Sequence, residues 1–302
     1  MKELSSMEAT LEVCKALSSP VRMKLLNIIS KGKQVNLNEL ASHLNITNGA
    51  ITQHIKILSD AGIIGIVSKP GVRGSQKICY LKEHKFLVDL SPEVVPEGNA
   101  YQVEIPVGGY TNYDVYPTCG IASESSIIGE IDDPRYFDAP QRSDAGILWF
   151  GHGFVEYRIP NYLKSYSKIT ELQLTFEISS EAPGICEVWP SDIYFALNEK
   201  PLGYWTSPGD YGVVKGIYTP SWWPEWNQYG LLKLLSINDK GTFVDGIKVS
   251  NICIEELNIN SKSDIIFRIS VPKEARYVGG VTLFGKGFGN YSQNINARII
   301  FE

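Results

Sequence analysis

The period of the hydrophobic repeat changes once along this 302-residue chain, and that change limits the folds open to it. Up to about residue 90, apolar residues recur three and four apart, the spacing of helices with one buried face. From about residue 101 they alternate, the spacing of half-buried strands. Between the two lies SPEVVPEGNA, residues 91–100, with Pro92, Pro96 and Gly98, a composition suited to an exposed connection. The chain is therefore read as an α+β, two-domain protein: residues 1–90, a linker 91–100, and an all-β domain 101–302.

Charge divides at the same place. Residues 1–90 carry 12 Lys and Arg against 7 Asp and Glu, whereas the rest carries 16 against 26. A basic first part can meet phosphates, and an acidic second part would be repelled by them. No apolar run approaches the roughly 18 residues that span a bilayer, and the N-terminus has no signal-peptide pattern, so a cytoplasmic protein without membrane contact is expected. The cysteines Cys14, Cys79, Cys119, Cys186 and Cys253 are odd in number and far apart, with no CxxC. They argue for buried reduced thiols rather than disulfides or a thiolate metal site.

In the first part, Leu4, Met7, Leu11, Cys14 and Leu17 form a helical stripe that must be buried in the core or against a second subunit. Ser18-Ser19-Pro20 restarts the chain as a second helix with Val21, Leu25 and Ile28 on one face and Gly32 as its stop. A third helix opens at Asn36 or Asn38 and buries Leu40 and Leu44. After a tight turn comes a fourth, capped by Thr47, with Ala50, Ile51, Ile55 and Leu58 inward and Gly62 as a left-handed stop. Two short helices joined by a tight turn are helix-turn-helix geometry. The outer face of the fourth helix carries Asn48, Thr52, Gln53 and Lys56, with His54 beside them, and Thr47 and Gly49 at its start are further candidates for DNA contact. Amides and hydroxyls can read base edges and lysine can neutralise phosphate. IIGIVSK and QKICYL then read as two strands whose connection, PGVRGS, lifts Arg73 to the tip of a wing, within reach of a minor groove or a phosphate.

From Leu17 to Leu81 the chain resembles the ArsR-type winged-helix repressors, through LSSPVRMKLLNII, NELASHLNITNGAITQHIKILSDAGII and the Arg73 wing. The resemblance implies a transcription regulator that binds double-stranded DNA as a homodimer. Its N-terminal helix and the segment from His84 to Leu90 would contribute to the dimer contact. The resemblance fails at the metal sites of that family. The third helix reads Glu39, Leu40, Ala41, Ser42, His43 with no thiolate, and His84 with Asp89 are too few ligands for a second site. No metal and no cofactor are expected.

In the second part, Leu172, Leu174, Phe176 and Ile178 face one way and Glu171, Gln173, Thr175 and Glu177 the other. DIYFAL, DIIFRIS and INARIIF repeat the alternation, and Asn198 to Pro201 turns DIYFAL into LGYW as a hairpin. Such strands predict a β sandwich or jelly roll. All six tryptophans lie here, five of them in WPSD, YWTSPGDYG and TPSWWPEWNQYG, read as loops from their Pro and Gly. Trp189, Trp205, Trp222, Trp223 and Trp226, with Asp192 and Asp210, suit a small-molecule effector pocket. Aromatic planes match the C–H faces of a sugar, and carboxylates match its hydroxyls. The alternative is a sandwich that serves protein interaction or oligomerisation. Catalysis is not expected. His152 is a lone histidine, no GxSxG is present, and FGKGFGNY (284–291) lacks the context of a phosphate loop. Acid pairs such as Asp132-Asp133 and Glu255-Glu256 arise by chance in an acidic domain.

Overall fold

A computed structural model describes residues 2–4, 7–32, 35–70, 75–83, 86–88 and 100–302. The chain forms two units, Met1–Val94 and Val95–Glu302.

Among the described residues the first unit holds four helices, α1 (Met7–Leu17), α2 (Pro20–Gly32), α3 (Leu37–Leu44) and α4 (Asn48–Asp60), and five short strands. Strand β2 (Val35–Asn36) pairs with β4 (Ser75–Leu81), which pairs in turn with β3 (Ile64–Pro70), all antiparallel. β3 and β4 are the wing hairpin, and its tip with Arg73 lies outside the described residues. Helix α3 opens with a capping box, in which Asn36 Oδ1 accepts from the Glu39 N–H (2.9 Å) and Glu39 Oε2 accepts from the Asn36 N–H (3.3 Å). Asn36, of the two asparagines weighed, is therefore the cap. Helix α1 is closed by Arg22, whose guanidinium donates to the carbonyls of Ala16 and Lys15. Leu25, Ile29, Leu40, Ile51, Ile55, Leu58, Ile64 and Cys79 fill one core.

In α1 it is Val13 and Ala16 that are buried, while Leu11 is 53% exposed and Cys14 is exposed, so of the two places expected for the Leu11–Cys14 stripe it does not take the core. One expectation is corrected. Leu4 belongs instead to a strand, β1 (Lys2–Leu4), that pairs in parallel with β5 (Phe86–Val88). The segment after the wing is thus held, in part, by the chain's own N-terminus; His84 and Asp89 lie outside the described residues.

The second unit is an antiparallel β sandwich. Its strands are β6 (Ala100–Ile105), β7 (Asn112–Ala122), β8 (Ile147–Ile159), β9 (Ile169–Ser179), β10 (Ser191–Leu197) and β11 (Lys200–Ser207). β12 (Leu231–Asn238), β13 (Gly241–Val244), β14 (Ile247–Ser250), β15 (Ile265–Val271), β16 (Val281–Phe284) and β17 (Ile295–Phe301) complete it. One layer runs β11-β10-β15-β8-β7 and the other β6-β17-β9-β12-β13-β14. The short β16 joins them. It takes the edge of β8 at Ile147–Phe150 that β15 takes from Gly153 onward, and the edge of β9 beyond Thr175 that β17 leaves. β8 changes neighbour at Gly153, whose φ is +114°; a Cβ there would stand 1.9 Å from the Asp114 carbonyl oxygen, so only glycine fits.

Inward alternation builds the core. Leu172, Leu174, Phe176 and Ile178 of β9 meet Ile193, Phe195, Ile265, Phe267 and Ile269 in a single apolar cluster. The opposite face of β9 is not uniformly solvated: Glu177 is 1% exposed, beneath the segments at Gly230 and Asn290–Tyr291. YWTS is not a loop but part of β11, paired with β10.

Candidate functional site

Helix α4 is positioned from within. Thr47 Oγ1 accepts from the Ala50 N–H (3.3 Å) at its start. At its end Gly62 takes φ +73°, and the Ile63 N–H bonds back to the Leu58 carbonyl (3.0 Å). Ile51, Ile55 and Leu58 are buried at 2% exposure or less and fix the rotation of the helix on its core. The opposite side is therefore forced out, and Asn48, Gly49, Thr52, Gln53 and Lys56 are all exposed. The Thr52 hydroxyl donates to the Asn48 carbonyl (2.8 Å) and keeps its acceptor capacity. A Cβ at Gly49 would meet nothing within 4 Å, so among the described residues none covers the start of the helix there. Thr47 is exposed beside it. His54 is half-buried with Nδ1 shielded from solvent, and stands at the flank of this face rather than on it.

The residues of the expected aromatic pocket do not line one cavity. Trp223 is 5% exposed and packs edge-on against Trp149, Trp226 and Phe288. Trp205 lies in β11 under the Lys233 ammonium (4.2 Å to its ring), and that lysine is buried with Asp245 (2.9 Å). Asp192 is buried and accepts from Thr206 Oγ1 (2.6 Å) and the Tyr277 N–H (3.2 Å), so it ties strands together. Asp210 is fully buried, with Oδ2 accepting from the Ala182 N–H (3.0 Å). Trp189 and Trp222 remain partly exposed, their indole N–H groups donating to the carbonyls of Glu181 (3.1 Å) and Glu124 (2.6 Å).

Trp226 does line a cavity, of about 280 Å³, but with partners that alternation and loop composition did not single out: Thr118, Asp132, Trp149, Glu181 and Asn227. They come from the break in β7 between Tyr116 and Cys119, the turn that follows β7, the start of β8, the residue two beyond β9, and the loop before β12. Glu181 is the centre. Its Oε2 accepts from Asn227 Nδ2 (2.7 Å) and Thr282 Oγ1 (2.7 Å), and its Oε1 from Thr118 Oγ1 (3.4 Å). Asn227 also donates to Thr282 Oγ1. Burial, and then the neighbouring Asp210 charge, push the Glu181 carboxyl well above the usual range, against the hydrogen bonds that favour its charge. Burial likewise raises Asp210 to about 7. Glu177 also reaches about 7, because burial outweighs the backbone N–H groups of Gly230, Asn290 and Tyr291 that it accepts. Asp132 Oδ1 accepts from the Cys119 N–H (2.9 Å). His152 stacks on Tyr116 (4.5 Å, 5° between planes), and burial with the nearby Lys273 lowers its pKa. Among the described residues no cluster of three His, Cys, Asp or Glu could hold a metal, and no helix is long and apolar enough to cross a membrane.

The first unit has the parts of a winged helix-turn-helix, with the second helix of the pair bare on its polar side. The sequence family described as HTH domain matches residues 21–76. Over 52 residues the chain is 38% identical to the transcriptional repressor SdpR of Bacillus subtilis (strain 168), spanning 17% of this chain and 57% of the repressor. Over 76 residues it is 36% identical to the uncharacterized HTH-type transcriptional regulator MJ0229 of Methanocaldococcus jannaschii, spanning 24% of this chain and 77% of that one. The crystal structure of an ArsR family transcriptional regulator is also similar, at 25% identity and a TM-score of 0.22, covering 27% of this chain and 76% of that chain. The chain belongs to the HTH-type transcriptional regulators. It spans little more than half the length of SdpR, and each of these relatives matches about a quarter of it or less.

Proposed function

We propose that this chain is a DNA-binding transcriptional regulator that works in the cytoplasm as a homodimer, with α4 in the major groove. The observation that carries this reading is the division of α4. Ile51, Ile55 and Leu58 hold it from below, while Asn48, Gly49, Thr52, Gln53 and Lys56 stand bare above. Amide and hydroxyl groups at that spacing supply donors and acceptors to base edges, and Lys56 supplies a phosphate contact. SdpR is a repressor, and repression is the mode proposed here. Leu11 of α1 and Met23 of α2, each about half exposed, are the apolar side chains offered to a second copy. The β unit is assigned a sensing role without catalysis: it binds a small effector, a carbohydrate in our reading, and its occupancy changes the affinity for DNA. Such coupling needs only about 1–3 kcal/mol of differential affinity.

A second reading has an observation of its own. Val188, Val213, Ile217 and Tyr218 are exposed by 82%, 66%, 57% and 49%, an apolar display that suits a protein-docking module. One experiment tests the first reading. The full chain is incubated with a pool of random duplexes and the retained sequences are read. The expected result is a two-fold symmetric site with half-sites about one helical turn apart. Retention without any shared sequence would refute it.

A further inference from the structure

We propose that the cavity beneath Trp226 binds one uncharged, polyhydroxylated ring, a monosaccharide or cyclic polyol, held between two tryptophans and two carboxyl groups. The inference rests on the sensing role assigned to the β unit, and it names the site and the chemistry of its ligand.

Size comes first. At about 280 Å³ the cavity falls just below the 300–1,000 Å³ of pockets that hold drug-sized molecules, which leaves room for a single small ring. Charge comes next. The lining carries the Asp132 carboxylate and no lysine or arginine, so a phosphorylated or carboxylated ligand would meet like charge with no counter-ion. A neutral ligand meets no such penalty.

The polar groups then select hydroxyls. The Glu181 oxygens already accept from Asn227, Thr282 and Thr118, and burial favours its protonated form, so what this carboxyl has left to offer is a proton to donate. Asp132 commits Oδ1 to the Cys119 N–H and keeps acceptor capacity on its other oxygen. A donor and an acceptor in one cavity match a group that is both, and ring hydroxyls are such groups. The apolar wall completes the match. The rings of Trp149 and Trp226 stand 6.3 Å apart and inclined at 58°, a corner of two planes for the C–H face of a ring. Trp149 is locked by Trp223 (5.7 Å, edge-on), so this corner is formed before any ligand arrives.

The test uses the full chain. Tryptophan fluorescence and calorimetry follow titrations with D-glucose, D-galactose, D-mannose, D-xylose, L-arabinose and myo-inositol, each up to about 10 mM, a range that reaches millimolar affinities. Glucose 6-phosphate and spermidine are titrated in parallel. At least one neutral ring should bind saturably, and glucose 6-phosphate should bind at least about tenfold more weakly than it. W226A and D132N should each weaken that ring at least about tenfold, whereas W222A, outside the cavity lining, should leave it unchanged. Asp132 has φ +60°, which asparagine tolerates, and asparagine keeps the acceptor for Cys119, so D132N is expected to fold. The proposal is overturned if no neutral ring binds, if spermidine alone binds, or if W226A and D132N bind the ring as the native chain does. Recovery of a DNA site from the duplex pool without ring binding would sink this inference alone. Ring binding without a DNA site would sink the regulator reading alone.

Discussion

Replacing Asp210 by asparagine should flatten the pH dependence of the β unit's stability. Asp210 is fully buried, its Oδ2 accepts from the Ala182 N–H, and its Oδ1 has no partner. Burial lifts its carboxyl from 3.8 to about 7. Between those two values the folded chain holds a proton that the unfolded chain has released, so stability falls as pH rises through that window and levels off above about 7. A shift of about three pH units corresponds to a ceiling on the order of 4 kcal/mol. Asparagine keeps the acceptor for Ala182 but does not titrate. Its amide in place of Oδ1 adds an unpaired donor costing about 1–3 kcal/mol, and that cost is the same at every pH. The difference between D210N and the native chain should therefore move in favour of D210N by about 2–4 kcal/mol from pH 4 to pH 8. Urea unfolding followed by tryptophan emission reads this unit selectively, because all six tryptophans lie in it. Parallel stability curves for the two chains would refute the argument that burial, without compensation, sets the titration of Asp210.

E177A should orphan the Gly230 and Asn290 N–H groups and destabilise the β unit by about 3 kcal/mol at pH 8, with faster amide exchange at both positions. G289A should cost clearly more than G246A: both glycines have positive φ, but a Cβ at 289 would stand 2.4 Å from the Glu177 carboxylate and one at 246 would meet nothing. Equal losses by thermal melting would contradict the close approach. L58A, removing a fully buried side chain under α4, should destabilise the first unit by about 2–5 kcal/mol, read as a lower helix melting temperature by far-UV circular dichroism. An unchanged helix melt would mean that Leu58 does not anchor α4.

What the sequence reveals depends on whether a signal is local. From Thr47 to Gly62 three local signals coincide: a side-chain cap, inward residues at 51, 55 and 58, and a glycine that alone adopts the closing turn freely. The polar face of α4 follows from them. In α1 the period cannot choose between two apolar sides, since Val13 and Ala16 compete with Leu11 and Cys14, and only the packing of α2 and β1 decides. In the β unit, alternation identifies the core side of β9 but says nothing of Glu177. It is buried by loops far along the chain, 53 residues away at Gly230 and 113 at Asn290. The cavity suffers the same way. Composition points to tryptophan-rich loops, yet Trp223 is spent on the core and Trp205 on Lys233, while Asp132 arrives from a turn and Trp149 and Glu181 from the ends of strands, with no local mark.

The exposed side of α4 is tested most directly by fluorescence anisotropy on a duplex recovered from the pool, measured across a salt series against an unrelated duplex. The native chain should prefer the recovered duplex, with the logarithm of its affinity falling linearly in log salt. The T52A/Q53A chain should lose that preference, at about 1–3 kcal/mol for each base contact removed, and keep the same salt slope. A T52A/Q53A chain that still discriminates as the native one does, or a native chain with no affinity for either duplex at low salt, would contradict it.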